Sequence, residues 1–274
     1  MTVRRGCRKF IFRILLIAAA IYTAIGFLKT SPELSVYSYS SARLPEDFDG
    51  YRIVQISDYH NKDFGSGQAD VIRLVNDARP DVIFLTGDMV DGRHDDIDAA
   101  RELLEGICDI APIYYVTGNH ELSMKAQAQY REFCELMEQC GVTELGGGHI
   151  RLYRGGSSIM LYGIGYGRRE LMRNGLAADS EEFNILLYHG SDDFDIASQY
   201  GYDLVFSGHA HGGIVRLPII GGVFGNREKL FPEYDSGLFT RGASTLVANR
   251  GMGDSYIPRF YNNPQVLLLE LNSK

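Results

Sequence analysis

The sequence predicts an α/β domain of two packed sheets with helices outside, preceded by one membrane-spanning helix. Three observations predict it. Short runs rich in Val, Ile and Leu alternate with helical segments, the rhythm of a layered α/β protein. Five of these runs end in Asp, Asn or His, in four of them beside glycine. An apolar stretch, Phe10 to Leu28, stands near the N-terminus.

That stretch reads FIFRILLIAAAIYTAIGFL. As a helix it would be about 28 Å long, close to the ~30 Å hydrocarbon core of a bilayer. Arg13 lies near its start, where its head group can snorkel to the surface. Arg4, Arg5, Arg8 and Lys9 precede it and, by the positive-inside rule, stay in the cytoplasm. The expectation is therefore a single-pass anchor in the cytoplasmic membrane over residues 1–29, with the remainder on the extracytoplasmic side. A cleaved signal peptide is the competing reading, with weak cleavage options between Ala18 and Ala24; a buried helix of a soluble protein is the third. Residues 30–45 are rich in Ser and Tyr up to Arg43 and read as a tether. Residues 46–274 read as one domain.

Within that domain the strand-like runs are Arg52–Ser57, Val82–Thr86, Ile113–Thr117, Ile159–Gly163, Ile185–Tyr188, Leu204–Ser207, Thr245–Ala248 and Val266–Leu269. Helical periodicity spans Gln68–Arg79, with Val71, Ile72, Val75 and Ala78 on one face and Pro80 as the stop. Further helices are expected at Ile97–Ile107, Lys125–Cys140 and Asp192–Tyr200.

The formal net charge of −8 argues against nucleic acid as a partner, because phosphate backbones call for a basic surface. It leaves phosphate-bearing substrates open, since bound cations invert the local sign. Cys7, Cys108, Cys134 and Cys140 include no C-x-x-C pair, which removes a zinc knuckle or a thioredoxin-like site.

The chemistry gathers at the ends of the runs. The first ends in Asp58-Tyr59-His60, the second in Gly87-Asp88-Met89-Val90-Asp91, and the third in Gly118-Asn119-His120-Glu121. The fourth motif is His189-Gly190, and the fifth is Gly208-His209-Ala210-His211-Gly212-Gly213. The carboxyl edge of an open α/β sheet is where ligands bind. Carboxylate, imidazole and amide oxygen suit divalent cations such as Mn, Fe, Zn or Mg. One such histidine alone is more often structural; their joint placement is what points to a metal site.

These five motifs, in this order, resemble the calcineurin-like metallophosphoesterase family, in which D-x-H, GD-x-x-D, GNH-E/D, a lone H and GH-x-H recur. The likeness runs from Asp58 to His211. The N-terminal helix and Arg250-Gly251-Met252-Gly253 resemble, more loosely, a bacterial membrane-associated or exported branch. The resemblance implies a four-layer αββα sandwich of two mixed sheets and two divalent ions, one held by Asp58, His60 and His211 and the other by Asn119, His189 and His209. Asp88 would bridge them. It implies a metal-activated water or hydroxide as nucleophile on a phosphate mono- or diester, with His120 assisting the leaving group. Asp91 and Glu121 would orient ligands from behind; helix or turn capping is the plain alternative for each.

Arg250 and Arg259 are candidates to contact phosphate or to form ion pairs. Residues 216–241 suit a lid or a hairpin packed on the sheet. His94 and His149 read as surface residues. The anchor favours a lipid, lipid-linked pyrophosphate or cell-envelope substrate. The competing function is a catalytically silent metal-binding scaffold, against which the full ligand set and His120 argue. A lactam or thioester hydrolase would need an H-x-H-x-D-H cluster, which is absent. Oligomeric state is not legible.

Overall fold

A computed structural model describes residues 2–28, 31–94, 96–124, 127–175, 178–225, 230–255 and 257–274. The expected two sheets are present. The first has the order β1 (Glu33–Ser41), β14 (Gln265–Ser273), β2 (Tyr51–Ile56), β3 (Val82–Leu85), β4 (Ile113–Tyr115), β5 (Thr143–Glu144). The second has the order β12 (Gly237–Arg241), β13 (Ser244–Ala248), β9 (Leu204–Gly208), β8 (Asn184–Gly190), β7 (Ser157–Ile164), β6 (His149–Arg154). Both are mixed. β2, β3 and β4 run parallel, as do β7, β8, β9 and β13. A small antiparallel pair, β10 (Arg216–Leu217) and β11 (Gly221–Gly222), stands apart.

The near-continuous apolar character of the central strands follows from burial on both faces. Along β3, Val82 and Phe84 face the second sheet while Ile83 and Leu85 face helices. Between the sheets, Ile53, Phe84, Leu267 and Leu269 meet Ile185, Leu187, Phe206 and Val247. Phe84 and Phe206 touch edge to face with ring centroids 5.1 Å apart. Outside the first sheet lie α2 (Ala69–Ala78), α3 (Asp98–Ile107), α4 (Asn119–Met124) and α5 (Ala128–Gln139). Val71, Val75, Leu103, Leu104 and Phe133 pack there on Val54, Ile56, Ile83 and Leu85. Outside the second sheet, α6 (Arg168–Asn174) and α7 (Phe194–Ala197) cover Leu186, Tyr188 and Val205. The result is the four-layer αββα sandwich.

α1 (Thr2–Leu28) contains the apolar stretch Phe10–Leu28, of which 6% is buried. It is long and apolar enough to cross a membrane. Its last turns touch the domain at Phe260 and Tyr261.

The expected tether is corrected. Most of it is β1, paired in parallel with β14 over nine residue pairs from Glu33↔Gln265 to Ser41↔Ser273. The serines and tyrosines that suggested a linker alternate across a strand: Leu34 packs on the helix side, Tyr37 and Tyr39 on the inter-sheet core. Two helices are shorter than expected. The one drawn from Lys125 begins at Ala128, and residues 125–126 lie outside the described residues. The one drawn over Asp192–Tyr200 is a 3-10 turn followed by the four-residue α7.

Candidate metal centre

The two sheets bring their carboxyl ends to one place. Asp58 and His60 follow β2, Asp88 follows β3, and Asn119 opens α4 just after β4. From the second sheet, His189 lies near the end of β8, while His209 and His211 follow β9. Three groups form among the described residues. Ligand atoms of Asp58, His60 and His211 lie within 4.8 Å of one another, and so do those of Asp88, His189 and His209; a third group, His60, Asp91 and His120, shares His60 with the first. The groups adjoin: His60 Nε2 is 3.9 Å from Asp88 Oδ2, and His189 Nε2 is 3.9 Å from Asp58 Oδ1. Asp58, His60, Asp88, His189, His209 and His211 are all buried.

The hydrogen bonds fix which ring nitrogens are free. His189 Nδ1 sits 2.7 Å from the Thr86 carbonyl, which only accepts, so Nδ1 carries the proton. Nε2 then points at Asp88 Oδ2, 3.2 Å away, and at His209 Nδ1, 3.1 Å away, where it takes up either a proton or a cation. His60 Nδ1 likewise faces the Asp91 carboxylate at 3.0 Å, leaving Nε2 toward His211 Nε2 at 3.3 Å. Lone pairs facing carboxylates and one another in a buried site repel unless a cation lies between them. Histidines that ligate metals bond their other nitrogen to a carboxylate or carbonyl in this way. The Asn119 side-chain oxygen and His211 Nδ1 are buried without a hydrogen-bond partner. The donor set therefore fits divalent cations.

Where no cation is bound, a proton takes that place on His189. Burial opposes the charged form of His189, but Asp88 and Asp58 outweigh it and lift its pKa to about 10. Burial raises the pKa of Asp58, with Asp88 adding to the rise. Burial and the neighbouring His60 push His211 well down, keeping it a neutral donor. Burial also lowers His120.

Backbone strain concentrates here. Asp58 (φ 48°), His60 (φ 52°), Asp88 (φ 54°), His209 (φ 70°) and His211 (φ 48°) all occupy the left-handed region. That region costs L-residues about 1–2 kcal/mol each, and it persists where the surroundings enforce it. Glycine supplies the closeness. A Cβ on Gly118 would lie 2.1 Å from Asp88 Oδ1, and one on Gly208 would lie 2.2 Å from Asp58 Oδ2.

Glu121 is fully buried and accepts from the backbone N–H of Asp88 at 2.9 Å, Met89 at 2.6 Å and Gly118 at 2.9 Å. It braces the loops after β3 and β4 rather than touching a ligand side chain. Burial and Asp88 push its pKa up to about 7. Asp91 bonds His60 and also receives Arg93 Nε at 2.7 Å. His120 stands edge-on to His60 with ring centroids 4.6 Å apart, and its backbone N–H donates to Asp88 Oδ1 at 2.8 Å.

The two arginines are already engaged. Arg250 Nη2 pairs with Glu33 Oε1 at 2.5 Å, the ion-pair alternative. Arg259 is buried and donates to the carbonyls of Gly253 and Arg250. These partners leave a phosphate contact by either arginine as a proposal, and Arg250 Nε is buried without a hydrogen-bond partner. His94 is exposed with Nδ1 3.0 Å from Asp91 Oδ1, and His149 is exposed on β6.

Sequence reasoning missed three supports. The Thr86 carbonyl orients His189. Tyr166 places its hydroxyl 3.4 Å from His209 Nε2. The Gly251–Gly253 turn lies under Asp58, with Gly253 N donating to Asp58 O at 2.6 Å. The two glycines flanking Met252 were the available signal for that turn.

Fold and site together define an α/β sandwich with paired Asp/His groups that could hold metal ions at the carboxyl edges of its two sheets. The calcineurin-like phosphoesterase profile matches residues 51–213, and the chain belongs to that family. It is similar to the uncharacterized metallophosphoesterase YkuE of Bacillus subtilis, 28% identical over 88% of this chain and 86% of the relative. The phosphodiesterase YaeI of Escherichia coli is 26% identical over 81% of this chain and 82% of that protein. A zebrafish (Danio rerio) transmembrane protein with metallophosphoesterase domain is 27% identical over 72% of this chain and 49% of its own length.

Proposed function

We propose that the chain is a membrane-anchored, two-metal phosphoesterase acting on phosphate mono- or diesters on the extracytoplasmic side. Asp58, His60 and His211 would hold one divalent cation, Asn119, His189 and His209 the other, and Asp88 would lie between them. When bound, such ions supply Lewis acidity and lower the pKa of a coordinated water. The observation that carries this reading is the pair of inward-facing Nε2 atoms of His189 and His60, oriented by Thr86 and Asp91, beside the Asp58 and Asp88 carboxylates.

The chain's own residues do the rest. The braced loops hold the donors in place before substrate arrives, so little reorganisation is needed in the reaction. His120 is half-buried beside His60 without belonging to either three-ion-ligand set assigned above. Its ring N–H serves the departing oxygen as proton or hydrogen-bond donor. Activity on diesters is supported by the name of the E. coli relative, and a lipid or cell-envelope ester by the apolar α1. The basic residues in the first turns of α1, ahead of its apolar stretch, support the orientation.

Hydrolysis of a chromogenic phosphodiester by the full chain in detergent, with added manganese, tests this. Release that stops on Asp88→Asn supports the enzyme. No release with manganese, iron, zinc or magnesium would leave a metal-binding scaffold instead.

A further inference from the structure

Among the described residues of the domain, apart from scattered Val36, Tyr153 and Met172, the exposed large apolar side chains belong to one connected strip. β10 and β11 form its hairpin, with Ile219 107% and Ile220 59% exposed at the tip. Beyond β11, Phe224 bridges Leu230, and Phe231 N donates to the Val223 carbonyl at 2.9 Å. Leu230 is 57% and Phe231 60% exposed. On the other side the hairpin hangs on Phe260: Val215 bridges it, and Arg216 N donates to its carbonyl at 2.8 Å. Ile257, 43% exposed, is three residues away.

Phe260 is also where α1 docks. Its ring meets Phe27 at 5.0 Å and Tyr22 at 6.1 Å between centroids. Tyr261 N donates to the Gly26 carbonyl at 3.0 Å, and Tyr261 Oη donates to the Tyr22 carbonyl at 2.8 Å. Tyr22 precedes Leu28 by six residues, about 9 Å along a helix axis. With the C-terminal end of α1 at the membrane surface, residues 260–261 therefore reach interfacial depth, about 5–10 Å into the headgroup and acyl boundary. The strip bonded to Phe260 is carried to the same level. Its composition suits that level: residues 214–224 read IVRLPIIGGVF. Their one charge, Arg216, is paired with Asp235 at 2.9 Å. An exposed apolar run of this kind marks an interaction site, and its continuity with the helix end says with what.

We infer that the β10–β11 hairpin and the Leu230–Phe231 segment are embedded in the bilayer interface, so that the domain is seated on the membrane rather than suspended from α1. The inference rests on α1 being a membrane anchor. It ties the metal site to the membrane plane. The hairpin base packs on the turn that carries His211, where a Cβ on Gly213 would lie 2.4 Å from Gly222 Cα, and Asn262 Nδ2 donates to the His211 carbonyl at 2.7 Å.

The chain has no tryptophan, so single reporters can be placed cleanly. Ile220→Trp, Phe231→Trp, Leu16→Trp and Tyr153→Trp are made in the full chain. Each is reconstituted in phosphatidylcholine–phosphatidylglycerol vesicles, with and without phosphatidylcholine brominated along its acyl chains. The expected result is strong bromine quenching at positions 16, 220 and 231 and none at 153. Quenching at 16 with none at 220 and 231 overturns the seating while leaving the anchor intact. Blue-shifted emission at 220 and 231 without quenching also overturns it, in favour of a protein cover. No quenching at position 16 removes the anchor, and the seating with it.

Discussion

The edge that carries Asp58, Asp88 and His209 and the stretch from Ile214 to Phe231 are built from similar backbone. Each combines glycine with non-glycine residues in the left-handed region: Asp58, His60, Asp88, His209 and His211 in one, Ile214, Ile219 and Phe231 in the other. Their side chains differ completely. Along the metal-binding edge the strained residues are polar, buried and tied to partners. Along the second stretch, Ile219 and Phe231 are apolar and open to the surroundings. Asp tolerates the left-handed region better than most residues, whereas a β-branched residue there is an outlier. The comparison teaches that such backbone marks a place where side-chain direction is constrained, while the side chains say what they are directed toward.

Several substitutions break or sharpen this contrast. The largest effect is expected at Asp88, which adjoins both ligand groups. Asp88→Asn should lower kcat/KM for a chromogenic phosphodiester by about 10³-fold or more, as electrostatic stabilisation is the leading contribution in such sites. Metal analysis of the same variant should show fewer ions per chain. His120→Ala should lower kcat by about 10²–10⁴-fold with metal content unchanged, the signature of a proton donor rather than a ligand. Loss of metal in His120→Ala would reassign that residue.

Asp91→Asn should weaken metal affinity by about 10–100-fold, measured by titration of the chelator-stripped chain, because His60 loses its carboxylate partner. Glu121→Gln replaces one acceptor oxygen with an amide donor facing the backbone N–H groups it now braces. It should cost about 1–3 kcal/mol per unsatisfied group and lower Tm by several degrees, read by thermal unfolding with and without metal. At the other extreme, Ile219→Asp with Ile220→Asp should leave turnover of a water-soluble ester within about twofold, since surface changes away from special features are nearly neutral. A large loss there would place the hairpin inside the reaction itself and erase the contrast.

The gathering of Asp58, His60, Asp88, His189, His209 and His211 was legible because these residue types are rare in combination and each motif follows an apolar run. The central strands were legible for a related reason: burial on both faces gives near-continuous Val, Ile and Leu, as in β3 and β8. β1 was not legible. It is an edge strand, partly exposed, and Tyr37 and Tyr39 bury apolar rings under a polar name. α6 escaped because only Leu171 of its seven residues is buried, which leaves no periodic stripe. For Arg259 the glycines mark the turn that holds it but do not show that the carbonyls of Gly253 and Arg250, six and nine residues back, accept from its guanidinium. Tyr166 sits beside His209 through a contact 43 residues away in the chain, beyond the reach of any local pattern.

The place of β14 has its own consequence. This strand lies between β1 and β2, so residues made after every other strand are wedged between two made at the start. Until the ribosome has released Gln265–Ser273, β1 has no neighbour and β2 is an open margin. Pairing over such sequence separation is slow, and unpaired margins invite aggregation. The first sheet therefore closes only when β14 arrives between β1 and β2. Shortening the chain by a single strand there would remove the centre of that margin rather than trim its rim.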